Sequence, residues 1–240
     1  MGNVNWKEFW QTYRKTEVKN EKDLYFEVGK TVNQQPISEA SFKLSIELVA
    51  RDLKLNANDR LLELCCGNGL MSLPLAALVS EVYAVDFAEH LTENARRFRQ
   101  APNITYICAD AVSYMTDLAA SKRYVPSKIL LGDALGYFEP ESLGDILRSA
   151  IRLTDNRFIF LVTGIPSDEL KGSFYNTPER AKRYEKNQRR EDNTNDGLGR
   201  WWQTYELKRL ARDCGLRLVV KNQPPDLSTF RVDAIFSSDS

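Results

Sequence analysis

The chain has 240 residues, with 33 basic and 33 acidic side chains and a formal net charge of zero. That length suits one large α/β domain with a real core. The charge balance gives no global field to recruit nucleic acid or an anionic membrane, and no apolar run reaches the roughly 18 residues of a membrane span.

The N-terminal MGNVNWKEFW has no apolar signal-peptide core. Trp6, Phe9, Trp10 and Tyr13 recur at helical spacing, which predicts a helix over 5–14 with one aromatic face. A second helix is expected from Ser38 to about Arg51, with the stripe Phe42, Ile46 and Val49. A β/α rhythm follows. Strand-like runs stand at 60–64 (RLLEL), 81–86 (EVYAVD), 104–108 (ITYIC), 127–131 (SKILL) and 157–163 (RFIFLVT). They are apolar without clean alternation, as strands buried on both faces are, so a parallel sheet with helices on both sides is expected. The rhythm breaks over 165–200, which is too long for an ordinary connection and is read as a substrate lid. A helix at 203–214 and strands at 216–220 and 230–236 close the chain. The expected organisation is an N-terminal helical cap, 1–54, and a cofactor-binding domain, 55–240.

The four cysteines, at 65, 66, 108 and 214, form no C-x-x-C pair, and His90 is the one histidine. That set cannot build a structural zinc site, so no metal is expected, and a reduced, cytoplasmic protein is.

The informative stretch is ELCCGNG, Glu63 to Gly69, at the end of the first strand of the rhythm. Glycines there let a ligand approach the backbone. A dinucleotide loop would need Gly at position 72, where Ser72 stands, and Glu63 would repel a pyrophosphate. A carboxylate suits a ligand that presents an ammonium. Asp86 ends the second strand, 23 residues after Glu63, where it can accept from both hydroxyls of a ribose. Asp110 follows the third strand. Its carboxylate can accept from an adenine amine, and the Ala111 amide can donate to the ring. An ammonium, a ribose and an adenine without phosphate describe S-adenosylmethionine.

With these residues the chain resembles the class I S-adenosylmethionine-dependent methyltransferases. ELCCGNG is similar to their glycine-rich motif, YAVDFAEHL to their second-strand acid, ILLGDALGYF to their fourth-strand motif, and WWQTYELKRLARDCGL to the helix before their terminal hairpin. The resemblance covers roughly 55–237. It implies a Rossmann-like, doubly wound, seven-stranded and mostly parallel sheet of order 3-2-1-4-5-7-6, under the helical cap. It also implies a cofactor site of Glu63, Cys65, Gly67, Asn68, Gly69, Asp86, Phe87, Asp110, Ala111 and Gly132. YFEVGKTVNQQPIS and FYNTPERAKRY resemble members tied to sugar and polysaccharide biosynthesis, and bring Tyr25, Lys30 and Thr31 in as residues that close over the cofactor.

Several residues carry two readings. Cys65 and Cys66 are packing residues of the loop or, less simply, a redox pair. His90 is a solvated helix residue or a general base. Asp133 and Tyr137 are packing residues or catalytic and orienting ones, with Asp133 the first choice of base. The basic run at 179–190 is a solvated helix face or a site for an anionic group. Substrate contacts are expected from Trp10, Phe138, Phe174, Tyr175, Arg180, Trp201 and Trp202, with one of the adjacent tryptophans under the sheet edge and the other forming a flat wall. The expectation is methyl transfer to an oxygen or nitrogen of a small polar molecule, a sugar or nucleotide sugar among them, with S-adenosylhomocysteine as the product. The rivals are a methyltransferase-like binding protein without catalysis and an NAD-dependent oxidoreductase.

Overall fold

A computed structural model describes residues 5–13, 17–32, 34–188 and 197–238. The N-terminal part holds α1 (Trp6–Thr12), α2 (Glu21–Glu27), a small hairpin of β1 (Thr31–Val32) and β2 (Gln35–Pro36), and α3 (Glu39–Leu53). The rhythm follows as β3 (Arg60–Leu64), α4 (Ser72–Ala76), β4 (Glu81–Asp86), α5 (Glu89–Phe98), β5 (Ile104–Cys108), α6 (Ala111–Ser121), β6 (Lys128–Gly132), α7 (Pro140–Thr154) and β7 (Ile159–Pro166). Short helices α8 (Lys171–Phe174) and α9 (Pro178–Gln188) come next, then α10 (Thr204–Asp213), β8 (Arg217–Asn222) and β9 (Arg231–Ser237).

The main sheet runs β5-β4-β3-β6-β7-β9-β8. Counted from β3, that is the expected order 3-2-1-4-5-7-6. The first five strands pair in parallel, and β9 pairs antiparallel with both β7 and β8. Strand order reverses between β3 and β6, which opens a crevice at their carboxyl ends.

Local chemistry sets the element ends. The Ser38 side chain accepts from the Ser41 amide at the start of α3, and Pro140 opens α7 where a missing N–H costs nothing. Asn20 and Asp23 form a capping box on α2, a helix that sequence periodicity missed. Alternation along β3 sends Leu62 and Leu64 to one core and Leu61 to the other. The larger core includes residues of α6, α7 and α10, and the smaller one residues of α3 and α4. Glu63 shares the Leu61 face, and this is what sets it against α4.

Candidate active site

Glu63 is the last but one residue of β3 and is 3% exposed. Its Oε2 accepts from the Ser72 hydroxyl at 2.5 Å. Burial pushes its carboxyl up to about 7, against the pull of the Ser72 bond. A buried carboxylate with so little compensation favours a cation beside it.

The loop after Glu63 is tightly wound. Cys65 has φ +59°, a left-handed conformation that is uncommon for a residue with a Cβ. Gly67 and Gly69 also have positive φ. A Cβ on Gly67 would stand 2.8 Å from Val28 Cγ1, and one on Gly69 would stand 2.5 Å from the Tyr106 hydroxyl. Asn68 is fully buried and donates to the Leu24 carbonyl (2.8 Å) and to Glu27 (2.9 Å), while its own Oδ1 has no donor among the described residues. The pKa of both Cys65 and Cys66 is raised well above the ordinary thiol value by burial, then by Asp86, so neither thiol is primed for redox or nucleophilic work.

Asp86 ends β4, and its two oxygens accept from the amides of Gly67 (2.8 Å) and Ala88 (2.9 Å). It therefore joins the glycine loop to the start of α5. Burial raises its carboxyl despite these bonds. Phe87, half-buried, follows it. Asp110 caps α6 through the Ser113 amide (3.0 Å) and pairs with Lys7 of α1 at 2.8 Å. Burial pushes the Asp110 carboxyl up, but Lys7 and the Ser113 amide outweigh it and hold it below the usual carboxylate range. Ala111, buried, is the first residue of α6.

At the end of β6, after Gly132, Asp133 has φ +53°. Its carboxylate pairs with Lys30 on one oxygen and with Arg231 (3.3 Å) on the other. Burial pushes the carboxyl up, and the two cations overturn that and set it at about 2. So held, Asp133 is a weak base, which corrects the expectation that it would abstract a proton; it positions Lys30 and Arg231 instead. Lys30 also lowers the Glu63 carboxyl, so it bridges the ends of β3 and β6. Tyr25 lies in α2, with its ring 5.5 Å from that of Phe42 and its hydroxyl pKa raised by burial. Thr31 opens the small hairpin next to Lys30.

Tyr137 lies in the turn after β6. Its hydroxyl donates to the Gly197 carbonyl (2.9 Å), and its ring stands 4.8 Å from Trp6 and 5.3 Å from Trp10. Burial pushes its phenol up to about 12, beyond use as a base at neutral pH. Helix α1 is thus tied at Asp110, beyond β5, and at Tyr137, beyond β6. Those strands are three places apart, roughly 14 Å at sheet spacing, so α1 lies across the carboxyl ends of β4 and β3. Phe138 packs against the larger core beside Tyr137. His90 stands in the first turn of α5, on the β4 side of the crevice.

Beyond β7 and β9 the chain builds a second aromatic group. Trp201 lies 5.8 Å from Phe174, 5.9 Å from Tyr175 and 5.9 Å from Phe230, and Tyr184 lies 4.5 Å from Tyr175. Arg180 stacks on Phe174 at 4.7 Å. Trp202, expected among the substrate contacts, is instead a core residue. It is 1% exposed, and its indole N–H donates to the Leu135 carbonyl at 3.0 Å. Extended backbone sends neighbours to opposite faces, so burying Trp202 turns Trp201 outward. The part of the expected lid and basic run at 189–196 lies outside the described residues.

Three contributors escaped the sequence reading. Glu27 is buried between the side-chain amides of Asn68 (2.9 Å) and Asn94 (2.6 Å), and so pins α2 to the glycine loop and α5. Burial raises its carboxyl above the usual range. Lys7 and Arg231 are the others, each recognisable only once its distant carboxylate is known.

The sheet order, with a glycine loop and acidic strand ends at its carboxyl edge, is that of the Rossmann-like methyltransferase fold. Residues 61–156 match the family model described as methyltransferase domain. No curated protein matches the sequence. Among solved structures, the chain is similar to a magnesium protoporphyrin IX methyltransferase from Synechocystis PCC 6803 with bound S-adenosylhomocysteine, at 14% identity and TM-score 0.55 over 99% of this chain and 95% of that one. An S-adenosylmethionine-dependent methyltransferase from Leishmania major aligns at 14% identity and TM-score 0.62, over 95% and 80% of the two chains. The N-methyltransferase NodS from Bradyrhizobium japonicum WM9 aligns at 13% identity and TM-score 0.56, over 85% and 99%. S-adenosylmethionine is the cofactor of methyltransferases of this fold, and the residues present fit it: a buried carboxylate with no ion pair among the described residues, a second carboxylate bound to the glycine loop, and a third beyond β5. No helix among the described residues is long and apolar enough to cross a membrane.

Proposed function

We propose that this protein transfers the methyl group of S-adenosylmethionine to an oxygen or nitrogen of a small polar molecule in the cytoplasm. The observation that carries this reading is Glu63, a fully enclosed carboxylate at the crevice with one hydroxyl donor and a pKa of about 7. Glu63 would take the ammonium of the cofactor, Asp86 the ribose, and the Asp110–Ala111 corner the adenine, with Gly67, Asn68 and Gly69 shaping the loop beneath. When bound, S-adenosylmethionine supplies a methyl group already activated on a sulfonium. The chain therefore needs mainly to orient the acceptor and exclude water. Trp6, Trp10 and Tyr137 supply aromatic faces suited to a cationic centre. With Asp133 held by two cations, the chain offers no strong base there, which favours an acceptor that loses its proton easily or a nitrogen that is already neutral.

Calorimetry with S-adenosylhomocysteine tests the reading directly. Micromolar binding that Asp86→Ala weakens at least thirtyfold is the expected result. Absence of binding, or tight binding of NADH in its place, would overturn it.

A further inference from the structure

Cations gather on one side of the sheet's carboxyl edge. Glu63, Asp86 and Asp110 stand at the ends of β3, β4 and β5. Past β6 cations stand among the acids Asp133, Asp168 and Asp233. Lys30 and Arg231 share one carboxylate, Asp133. Lys171 has a loose pair with Asp168, at 3.6 Å.

These cations border rings. Lys171 Nζ lies 5.4 Å from the centre of Trp201 and 5.2 Å from that of Tyr184, and Arg231 lies 5.5 Å from that of Phe230. Phe174, Tyr175, Tyr184, Trp201 and Phe230 are all only half-buried. Clustered rings left partly in water mark a binding surface, and cations set beside them select an anion. Arg231 joins this group to the crevice, since it reaches Asp133 at the end of β6 while bordering Phe230.

We infer that the methyl acceptor is an anion: a small molecule with one flat ring, held against Trp201 and Phe174, and a carboxylate or phosphate held by Arg231 and Lys171. This deepens the methyltransferase reading and rests on it for the role of the site. The placement of these cations gives each partner its own side. The cationic donor group is drawn to the β3–β5 carboxylates and the anionic acceptor to the β7–β9 cations, so the two meet over β3 and β6 without competing. Asp133 holds Arg231 in place.

Fluorine NMR with the whole protein saturated with S-adenosylhomocysteine tests this. The probes are 4-fluorobenzoate and 4-fluorophenyl phosphate, with neutral 4-fluorobenzamide as the matched control. At least one anion should bind tenfold or more tighter than the amide, and which one it is separates a carboxylate acceptor from a phosphate. Arg231→Gln and Lys171→Gln should each weaken that anion threefold to tenfold, Arg231→Lys should weaken it less, and Trp201→Ala should weaken anion and amide together. Thermal unfolding of each variant reports on retention of the fold. Equal binding of anion and amide, no binding of any probe at millimolar concentration, or anion affinity unchanged in both Gln variants would overturn the inference. Calorimetry of S-adenosylhomocysteine on the same samples keeps the two readings apart. If the cofactor binds and the anions show no preference, only the acceptor assignment fails; if the cofactor does not bind, the methyltransferase reading fails.

Discussion

With Glu63 assigned to the cofactor ammonium, as proposed, both stability and ligand binding should depend on pH. Its carboxyl is raised from an ordinary 4.5 to about 7, chiefly by burial. Because the folded value lies above the unfolded one, protonated Glu63 stabilises the fold fully below pH 4.5, and that contribution is lost as pH rises through about 7. The 2.5-unit difference corresponds to roughly 3 kcal/mol. Glu63→Gln should therefore match wild type at pH 4 and be more stable at pH 8, by about 2–3 kcal/mol in urea unfolding. Ligand binding has the opposite dependence. An ammonium needs the ionised carboxylate, which at pH 6 is only about a tenth populated, so S-adenosylhomocysteine should release close to one proton on binding there. Because the ligand's amino-acid ammonium stays charged through this range, affinity should rise about eightfold from pH 6 to 7.5, after a rise of nearly tenfold from pH 5 to 6. Calorimetry in buffers of different ionisation enthalpy measures both affinity and proton count. A flat affinity profile in wild type, or the same slope in Glu63→Gln, would refute the assignment of Glu63 to the ammonium.

Asp86→Ala removes an acceptor from the Gly67 and Ala88 amides as well as the proposed ribose contact, so the S-adenosylhomocysteine Kd should rise about 30- to 1000-fold, or 2–4 kcal/mol; a change under threefold would take Asp86 out of the site. Asp133→Asn leaves Lys30 and Arg231 without their counter-ion and should cost about 2 kcal/mol of stability at pH 7, the value of moving a carboxyl from 3.8 to about 2. The folded value being the lower one, that contribution is present above pH 3.8 and fades as pH falls through 2, so the unfolding free energies of the two proteins should converge in acid. Cys65→Gly relieves a left-handed residue and should change stability by no more than about 1 kcal/mol. Gly69→Ala drives a methyl group into the Tyr106 hydroxyl and should cost 2 kcal/mol or more in the same urea titration; equal effects would show that loop backbone is not what position 65 supplies.

What was legible in the sequence follows from where the information sits. Leu61, Leu62 and Leu64, or Ile129, Leu130 and Leu131, announce strands buried on both faces, because each needs only its own run to do so. The strand-end acids and glycine loop were legible for the same reason. Trp201 and Trp202 could be divided into one inside and one outside from their adjacency, though not which was which. Helix α2 was not legible, since its anchor Glu27 reads as a surface carboxylate until Asn68 and Asn94 meet it from 41 and 67 residues away. Asp133 was misread as a base for a related cause. Its partners stand 103 and 98 residues off in the chain, and only the tertiary fold turns an acid at a strand end into a clamp.

The two non-glycine residues held at positive φ beside the crevice make a final connection. Cys65 follows β3 and Asp133 follows β6, the strands between which the sheet order reverses. Each such residue stores on the order of 1–3 kcal/mol, and such strain persists only where the surroundings over-determine it. At Cys65 the surroundings are the Cys66 amide bound to Val85 and the Gly67 amide bound to Asp86, both tying the loop to β4. At Asp133 they are the amide bond to Thr163 of β7 and the two cations. The chain thus turns sharply out of both central strands. One turn brings backbone amides to face Asp86, and the other presents a carboxylate to Lys30 and Arg231. These two turns set the backbone on either side of the gap that the strand reversal opens, and each is fixed by hydrogen bonds to a neighbouring strand.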